Sequence, residues 1–399
     1  MSKQAFAFQR VQGHSLRIGL VMQSLRMGGL EELVVRLADA YKQRGHTPEV
    51  IAYEDGPLHE RLRSMKIPVH YFDKPDGYIP SFSLQLAEVF RQRRFDVLHT
   101  HHFNPLIYTV PGAVMTGTSL IHTMHSREHL PPERAKHRLM FAALASCSET
   151  ITTVNEELKS FLAREFSMAD NQVEVIRNGV DAQTFHGQYD KDAIRRELGL
   201  CDDAPVIGIV ARLEPEKDHS TLLAAMSMLH RPAHLLIIGD GTQRERLEQR
   251  ARKVGLNEHV HFLGARRDIP QLLSALDVFV LSSTREGLPL ALLEAMSSGI
   301  PAVVSDVGGM PKVVKESGGG GVFPAKNPQA LASELNGLLR RPDLASHMGA
   351  QAQRWVQRAY GQDAMVEQYL DVYQRSLRAK FPTRSMRFAG GLLKGMSAL

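Results

Sequence analysis

Short apolar runs alternate with helical patterns along almost the whole chain. Runs of four to seven residues rich in Val, Ile and Leu, separated by amphipathic segments, predict βα units and parallel sheets. In the first half the predicted strands are Leu16–Met22, Pro48–Tyr53, Val69–Phe72, Val97–His101, Ser119–Met124, Ile151–Val154 and Val173–Ile176. In the second half they are Val206–Ala211, Leu235–Ile238, Val260–Leu263, Val278–Leu281 and Ala302–Ser305, with helices starting near Asp218, Gln243, Ile269, Pro289 and Pro328.

Two such series predict an α/β protein of two Rossmann-like domains, each a doubly wound parallel sheet, that face a cleft. We place the first domain at residues 1–183 and the second at 184–359, with the link somewhere within 181–205. Gly318–Gly321 is interpreted as a glycine-rich turn. The last helical pattern, Gln362–Leu377, has no strand after it. We therefore expect the segment 360–378 to return to the first domain and complete it.

Composition places the chain among ordinary globular proteins. Of its 399 residues 43% are hydrophobic and 23% charged, and no apolar run approaches the ~20 residues that a membrane-spanning helix needs. No apolar stretch typical of a secretory signal precedes the first strand. Cys147 and Cys201 form no metal or redox motif and are interpreted as buried small residues in a reducing compartment. We expect a cytoplasmic protein.

Basic residues are concentrated in two places. The first is a loop-like stretch containing Arg127, Arg134, Lys136 and Arg138, which either faces an anionic acceptor or is solvated. The second is the C-terminal tail 379–399 and the end of the helix before it, which together lack Asp and Glu from Arg375 onward and carry Arg375, Arg378, Lys380, Arg384, Arg387 and Lys394. With its interleaved apolar residues the tail either lies on an anionic membrane surface or is a solvated terminus. No nucleic-acid partner is expected.

The sharpest chemical feature is a pair of carboxylates, Glu286 and Glu294, in the segment that follows the strand Val278–Leu281 and opens a helix. Eight residues of helix would separate them by about 12 Å, which fits one acid near a hexose and the other near a ribose. Backbone amides of Gly287, Leu288 and Leu290 at the helix start can donate to sugar or phosphate oxygens. The alternative is a helix-capping acid and a solvated one.

Two cations, Arg212 and Lys217, lie on the loop after the strand Val206–Ala211. Loops at the carboxyl edge of a doubly wound sheet bind ligands, and such a pair can clamp a diphosphate. The clamp would strengthen as charge accumulates on a leaving phosphate. A surface turn with locally paired charges is the competing interpretation.

Two glycine loops also follow strands. Gly28 and Gly29 precede a helix, where glycine lets the backbone approach an anion. Gly239 and Asp240 form a similar loop in the second half. Neither is a GxGxxG or P-loop motif, so each is weak evidence alone.

Histidines cluster at the ends of two neighbouring strands of the first half. They are His99, His101, His102, His122, His125 and His129. No acidic ligand set accompanies them, so we interpret them as a mixed set of cleft-lining donors rather than a metal site. For each histidine taken singly, a structural residue with satisfied hydrogen bonds is the alternative. His125 is the preferred donor to a sugar hydroxyl or to developing charge, and His101 is a weaker candidate.

These motifs occur together in an order that resembles one large family. They are the Gly28-Gly29 loop, Val175–Asp181, Arg212 with Lys217, Gly239-Asp240-Gly241, and Glu286 with Glu294. Their combination resembles family 4 of the retaining glycosyltransferases, the glycogen-synthase-like and lipopolysaccharide-type group 1 enzymes with the GT-B fold. The resemblance covers nearly the whole chain.

The resemblance implies roles for the residues of the second half. Arg212 and Lys217 would bind the diphosphate, Glu294 the ribose and Glu286 the donor sugar, without a metal or other cofactor. Many relatives have glycine where Pro289 stands, so one backbone contact to the donor can be absent here.

For the first half the resemblance implies an acceptor-binding domain. Gly28 and Gly29 would lie against the phosphate and His125 would approach the C6 hydroxyl of the sugar. The segment Asn178–Asp181 would lead to the hinge and act structurally.

The mechanism expected from these roles is front-face transfer. An acceptor hydroxyl attacks on the face from which the diphosphate departs, and a phosphate oxygen takes the proton. The donor would be a UDP- or GDP-sugar and the acceptor a glycan or lipid-linked molecule, in cell-surface polysaccharide or glycolipid synthesis. The alternatives are a nucleotide-sugar 2-epimerase of the same architecture, a nicotinamide-dependent dehydrogenase and a non-catalytic sugar-nucleotide binder.

Overall fold

The structure is a computed structural model that describes residues 15–74, 77, 79–125, 135–166, 168–185, 189–200 and 203–380, without the side chains of 135–138. It divides into two compact units. The first contains the described chain up to Arg177 and again from Val366, and the second is Asn178–Met365. The boundary between the two units, after Arg177, thus lies slightly before the predicted end of the first domain at residue 183.

The first unit is built on a seven-stranded parallel sheet with the strand order β3-β2-β1-β4-β5-β6-β7. The strands are β1 Arg17–Ser24, β2 Thr47–Glu54, β3 Val69–Tyr71, β4 Val97–His101, β5 Ser119–Met124, β6 Thr150–Thr153 and β7 Val173–Val175. The helices are α1 Gly29–Gln43, α2 Leu58–Ser64, α3 Phe82–Arg93, α4 Phe103–Thr116, α5 Ala135–Ala145 and α6 Glu156–Phe166. All seven strands predicted for this half are confirmed, with ends shifted by at most two residues.

The second unit has a six-stranded parallel sheet with the order β10-β9-β8-β11-β12-β13. Its strands are β8 Val206–Val210, β9 His234–Ile238, β10 Val260–Gly264, β11 Val278–Leu281, β12 Ala302–Ser305 and β13 Gly320–Phe323. Its helices are α7 Ala182–Phe185, α8 Lys191–Glu197, α9 His219–Met226, α10 Arg244–Lys253, α11 Ile269–Ser274, α12 Leu290–Ser297, α13 Met310–Ser317, α14 Pro328–Leu339 and α15 Pro342–Ala359. The predicted α/β class with two doubly wound sheets is confirmed.

The interpretation of Gly318–Gly321 as a turn is confirmed for Gly318, the left-handed residue after α13, but is wrong for Gly320 and Gly321, which belong to strand β13. Gly320 pairs with Ala302 of β12, and a Cβ on Gly320 would collide with the Ala302 carbonyl oxygen. Glycine therefore marks a close approach of two strand backbones here, which is one of its established uses in sheets.

The last helix, α16 Gln362–Lys380, packs on the first sheet from Val366 onward, as predicted. Its Tyr373 hydroxyl lies 3.0 Å from the Tyr41 hydroxyl of α1, and Arg375 forms a bidentate ion pair with Glu174 of β7 at 2.9 and 2.7 Å. Near its end, the Lys380 ammonium donates to the Thr118 carbonyl oxygen at 2.9 Å.

The two chain segments that join the units are hydrogen-bonded to each other. Val180 donates to the Tyr360 carbonyl oxygen at 2.8 Å, and Gln362 donates to the Val180 carbonyl oxygen at 3.1 Å. A Cβ on Gly179 would lie 2.6 Å from the Gln362 Cα, so only glycine fits between them. This explains the glycine in the segment Asn178–Asp181 as a packing requirement.

One prediction about the cysteines is wrong, and several of the predicted residues lie outside the part of the chain that the structure describes. Cys147 is exposed, so its interpretation as a buried residue was wrong, and Cys201 lies outside the described residues. Arg127, Arg134, His129 and the tail from Phe381 also lie outside them, as do the side chains of Lys136 and Arg138. Within the described part, no helix is long and apolar enough to cross a membrane.

Candidate active site

The second sheet brings two predicted loops together at its carboxyl edge. The chain runs outward from β8 through β9 to β10 and then returns to place β11 on the other side of β8. Connections diverge at such a reversal, and ligands of open α/β sheets bind in the crevice that results. The loop carrying Arg212 and Lys217 follows β8, and the loop carrying Glu286 follows β11.

A charged hydrogen bond links these two loops. The Lys217 ammonium donates to Glu286 Oε1 at 2.6 Å, and the Ser283 hydroxyl donates to the same oxygen at 2.8 Å. The side chains of Lys217 and Glu286 are only 17% and 9% exposed. The ammonium and the carboxylate are therefore positioned by each other, in a site where water screens them weakly.

Hydrogen bonds from a run of hydroxyl residues, which the sequence analysis missed, also join the backbones of these two loops. The Ser282 hydroxyl donates to the carbonyl oxygens of Lys217 and Asp218 at 3.1 and 3.0 Å. The Thr284 amide donates to the Glu216 carbonyl oxygen at 2.8 Å. The signal in the sequence was the Ser-Ser-Thr run directly after an apolar strand, because small hydroxyl side chains bind backbone groups in loops.

Arg212 differs from Lys217 in how firmly it is held. Its guanidinium lies 3.4 Å from the Glu216 carboxylate, and its side chain is 62% exposed. An exposed pair at that distance stabilises one conformation only weakly. Of the two cations predicted to form a clamp, the Lys217 ammonium is therefore held in place, whereas the Arg212 guanidinium is free enough to move toward a ligand.

The glycine loop after β9 packs against the loop that carries Arg212. A Cβ on Gly239 would collide with the Ala211 carbonyl oxygen, and one on Gly241 would lie 2.6 Å from the Leu213 carbonyl oxygen. The Asp240 carbonyl oxygen accepts from the Leu213 amide at 2.9 Å. Close packing of the two loops therefore explains why glycine is needed at positions 239 and 241. The predicted contact of Gly239 and Asp240 with nucleotide is a separate hypothesis.

The segment between the two predicted carboxylates is only partly helical. Pro289 is extended (φ −69°, ψ 132°) and α12 begins at Leu290, so Glu286 lies in the loop before the helix. The separation of about 12 Å calculated for a continuous helix therefore does not apply. Glu294, half-buried on α12, is in the helix as expected.

Side-chain burial limits what the intervening residues can offer to a ligand. Leu288 and Leu290 are 7% and 6% exposed, so only their backbones can contact one. The Gly287 carbonyl oxygen accepts from the Gly309 amide at 2.7 Å. This contact brings a third loop, after β12, to the site. The sequence analysis missed that loop, although Gly308-Gly309 begins three residues after the end of the predicted strand Ala302–Ser305.

In the first unit the loop after β1 has the predicted form. Gly28 is the extended residue before α1, which begins at Gly29. A Cβ on Gly28 would collide with the Glu31 carboxylate, which therefore lies over this loop. Glu31 was not among the predicted site residues, and Glu31 and Glu32 put negative charge on the first turn of α1.

The histidines of the first unit separate into interior and edge residues. His99 and His122 are fully or almost fully buried; His99 is hydrogen-bonded to Tyr373 and Thr123 at 2.6 Å each, and His122 to Thr100 at 2.9 Å. Their interpretation as cleft-lining donors was wrong, because α16 covers His99 and His122 is buried beside Phe141 of α5. Burial, followed by the neighbouring histidines, lowers the pKa of His99 well below its usual value.

His125 is half-buried just beyond the end of β5, and its Nε2 lies 3.0 Å from Nδ1 of the buried His101. His102 precedes α4 with a φ of 78°, a conformation that non-glycine residues rarely adopt. The predicted donor His125 thus occupies the carboxyl edge of the first sheet, whereas Lys217 and Glu286 occupy the corresponding edge of the second.

Two family models match the chain, one in each half. The family described as "Glycosyl transferases group 1" matches residues 190–355, and "Glycosyltransferase Family 4" matches residues 27–184. A UDP-Gal:alpha-D-GlcNAc-diphosphoundecaprenol alpha-1,3-galactosyltransferase of Escherichia coli is 29% identical over 65% of this chain and 70% of its own length. An N-acetyl-alpha-D-glucosaminyl L-malate synthase of Bacillus anthracis is 23% identical over 91% of this chain and 98% of its own.

Among solved structures, the Anabaena protein HepE in complex with UDP-glucose superposes with a TM-score of 0.80. It is 22% identical, and the match covers 90% of this chain and 99% of HepE. This similarity shows the fold, which is GT-B. The two family matches cover one unit each and together span most of the chain. The protein therefore belongs to the family 4, group 1 glycosyltransferases.

Proposed function

We propose that this enzyme transfers a hexose-type sugar, with retention of anomeric configuration and without a metal, from a UDP- or GDP-sugar to a glycan or lipid-linked acceptor. The observation that carries the proposal is the bond between Lys217 and Glu286 across the two loops at the strand reversal of the second sheet. It joins a cation suited to a diphosphate and a carboxylate suited to sugar hydroxyls at a single point. The names of the E. coli relative and of the HepE complex, which contain UDP-Gal and UDP-glucose, favour a nucleoside-diphosphate donor.

The chemistry proposed for the second unit is stabilisation of the leaving group. As the bond to the anomeric carbon breaks, negative charge grows on the phosphate nearest the sugar. The Lys217 ammonium, already in place, and the Arg212 guanidinium offset that charge more strongly in the transition state than in the bound donor. Glu286 accepts from hydroxyls of the sugar, and Glu294 accepts from those of the ribose.

Retention follows from a front-face reaction in this proposal. The acceptor hydroxyl attacks the anomeric carbon from the side of the departing diphosphate, and a phosphate oxygen takes its proton. The first unit binds the acceptor, with Gly28 and Gly29 against the phosphate and His125 as a donor to the sugar. The biological setting that fits is the synthesis of cell-surface polysaccharide or glycolipid.

The test measures UDP and GDP release from a panel of nucleotide sugars, with and without candidate acceptors. Lys217→Ala and Arg212→Ala should each reduce turnover on the order of 10²-fold or more, or about 2.7 kcal/mol of barrier. Lys253→Ala, which removes an exposed cation at the end of α10, is the matched control and should leave turnover unchanged. The anomeric proton coupling of the product reports its configuration.

Each alternative has a distinct outcome in these assays. Release of free product without an acceptor would indicate an epimerase, and donor binding without turnover would indicate a binding protein. An inverted product would contradict the front-face reaction. Unchanged turnover in both the Lys217 and Arg212 variants would contradict the proposed clamp.

A further inference from the structure

A row of buried polar side chains leads through the first unit toward His125, and hydrogen bonds link its members from Tyr41 to Thr123. Tyr373 of α16 lies between the Tyr41 hydroxyl, at 3.0 Å, and Nδ1 of His99, at 2.6 Å. Nε2 of His99 is 2.6 Å from the Thr123 hydroxyl. Both ring nitrogens of His99 are therefore engaged, and its ring is fixed.

His101 is the next ring along the same face of β4. It is fully buried, its ring centroid is 4.1 Å from that of His99, and its Nδ1 lies 3.0 Å from Nε2 of His125. The other nitrogen of His101, Nε2, is buried and has no hydrogen-bond partner among the residues that the structure describes. Among the described residues, the one polar contact of the His101 ring is therefore His125.

The contact between two imidazole rings requires one nitrogen to donate and the other to accept. If His125 donated from Nε2, His101 would have to carry its own proton on Nε2, where a buried N–H would have no acceptor in the part of the chain that the structure describes. If His101 donates from Nδ1, the unpaired atom is only a lone pair. Buried N–H groups without an acceptor are rarer in proteins than buried acceptors without a donor, so the second arrangement is favoured.

A doubly protonated His101 would escape this choice, but the surroundings oppose it. Burial, followed by the neighbouring His99, His102 and His122, lowers the pKa of His101 well below its usual value. His101 is therefore neutral near pH 7 and has one proton to place.

We propose that His101 is a positioning residue that donates from Nδ1 to Nε2 of His125 and thereby holds His125 in the tautomer protonated on Nδ1. The tautomer of a histidine is set by the hydrogen bond that its other nitrogen makes. With Nε2 accepting from His101, the neutral ring of His125 carries its proton on Nδ1 and acts there as a donor. The use of that donor toward the sugar rests on the proposed function, whereas the tautomer itself does not.

The experiment uses full-length protein with ¹⁵N-labelled histidine, in which long-range ¹H–¹⁵N correlations show which ring nitrogen is protonated. His125→Gln identifies the His125 signals by their loss. In the wild type we expect the pattern of a ring protonated on Nδ1. His101→Phe keeps a ring in the interior but has no donor, and should move His125 away from that pattern.

Two further variants separate positioning from folding. The amide nitrogen of His101→Asn can occupy the place of Nδ1 and should restore the wild-type pattern. His261→Phe disrupts a comparable histidine pair in the second unit, where His234 Nδ1 lies 3.1 Å from His261 Nε2, and should leave His125 unchanged. In turnover assays His101→Phe should lower kcat at least tenfold and His101→Asn less than threefold.

The spectra decide the inference independently of activity. Wild-type His125 protonated on Nε2, or a His125 pattern that is the same in His101→Phe, would overturn it. If His101→Phe does not fold, the wild-type and His101→Asn spectra still give the answer. The expected spectra with an unchanged kcat would instead leave the tautomer established and count against the proposed role of His125 toward the sugar.

Discussion

Replacing Glu286 by Gln should tighten the binding of a nucleoside diphosphate while slowing turnover. The Glu286 carboxylate holds the Lys217 ammonium at 2.6 Å, so a diphosphate that binds this ammonium must compete with it. At an effective dielectric constant of about 20, unit charges at this separation attract by about 6 kcal/mol, most of which is offset by lost hydration. The net value of a hydrogen bond between charged groups is about 1.5–3 kcal/mol.

An amide in place of the carboxylate keeps the shape and one acceptor but removes the charge. We expect the diphosphate to recover roughly 1 kcal/mol of the competing interaction, which corresponds to about a fivefold lower Kd. Turnover should fall because the neutral amide is a weaker acceptor for the hydroxyls of the donor sugar in the proposed mechanism. Calorimetric titration with UDP and with GDP gives the Kd, and nucleotide release gives the turnover.

A double-mutant cycle tests whether the gain depends on Lys217. In the Lys217→Met background, Glu286→Gln should change the Kd less than twofold, because the ammonium for which the two anions compete is absent. Glu316→Gln, which neutralises an exposed acid on α13 whose partner Lys312 is 3.8 Å away, is the control for a general charge effect. Weaker or unchanged binding in Glu286→Gln, or an equal gain in both backgrounds, would refute the reasoning.

Two further predictions concern stability. Gly239→Ala should lower the free energy of unfolding, measured by urea denaturation, by about 2 kcal/mol or more, because the φ of 142° at Gly239 and the backbone beside it exclude a side chain. Gly337 lies in α14 with open space where a Cβ would be, so Gly337→Ala should instead raise the free energy of unfolding by about 0.5–1 kcal/mol. Burial and the nearby Lys217 lower the pKa of His219 to about 4. As the pH falls below 6.5, His219 therefore becomes protonated in the unfolded chain but stays neutral in the folded chain. The stability present above pH 6.5 is consequently lost as the pH falls toward 4. Between pH 6.5 and 5, wild type should lose up to ~2 kcal/mol more than His219→Phe, while exposed His347→Phe should behave like wild type; equal losses in all three would contradict this.

The sequence predicted the sheets well because buried parallel strands are continuous apolar runs with clear ends. It failed at β13, where glycine serves the close approach of two strands rather than a turn. It also did not predict the helices α13 and α15. It placed a helix start near Pro289, but its estimate of the distance between Glu286 and Glu294 assumed that helix joins the two residues. Pro289 is a good residue for a helix start, but its backbone here is extended, so the helix begins one residue later.

Of the candidate site, the sequence predicted which loops matter but not which side chains meet. Lys217 and Glu286 are 69 residues apart and come together only because β8 and β11 are neighbours in the sheet. No local pattern contains that information. His99 shows the opposite case: its place at a strand end suggested a ligand-facing donor, and only the return of α16, more than 260 residues later, buries it.

The two cations of the predicted clamp should therefore contribute to catalysis in different ways. The Lys217 backbone is fixed by Ser282 and its ammonium by Glu286, so little conformational entropy remains for a ligand to remove. Arg212 is mostly exposed and only weakly paired, so its ordering is part of the cost of binding the donor. A group that is already ordered can act on developing charge without reorganisation, which is the condition under which electrostatic stabilisation lowers a barrier most. In the proposed mechanism Lys217 is therefore the principal electrostatic group, and Arg212 is a group that would join it when the diphosphate binds.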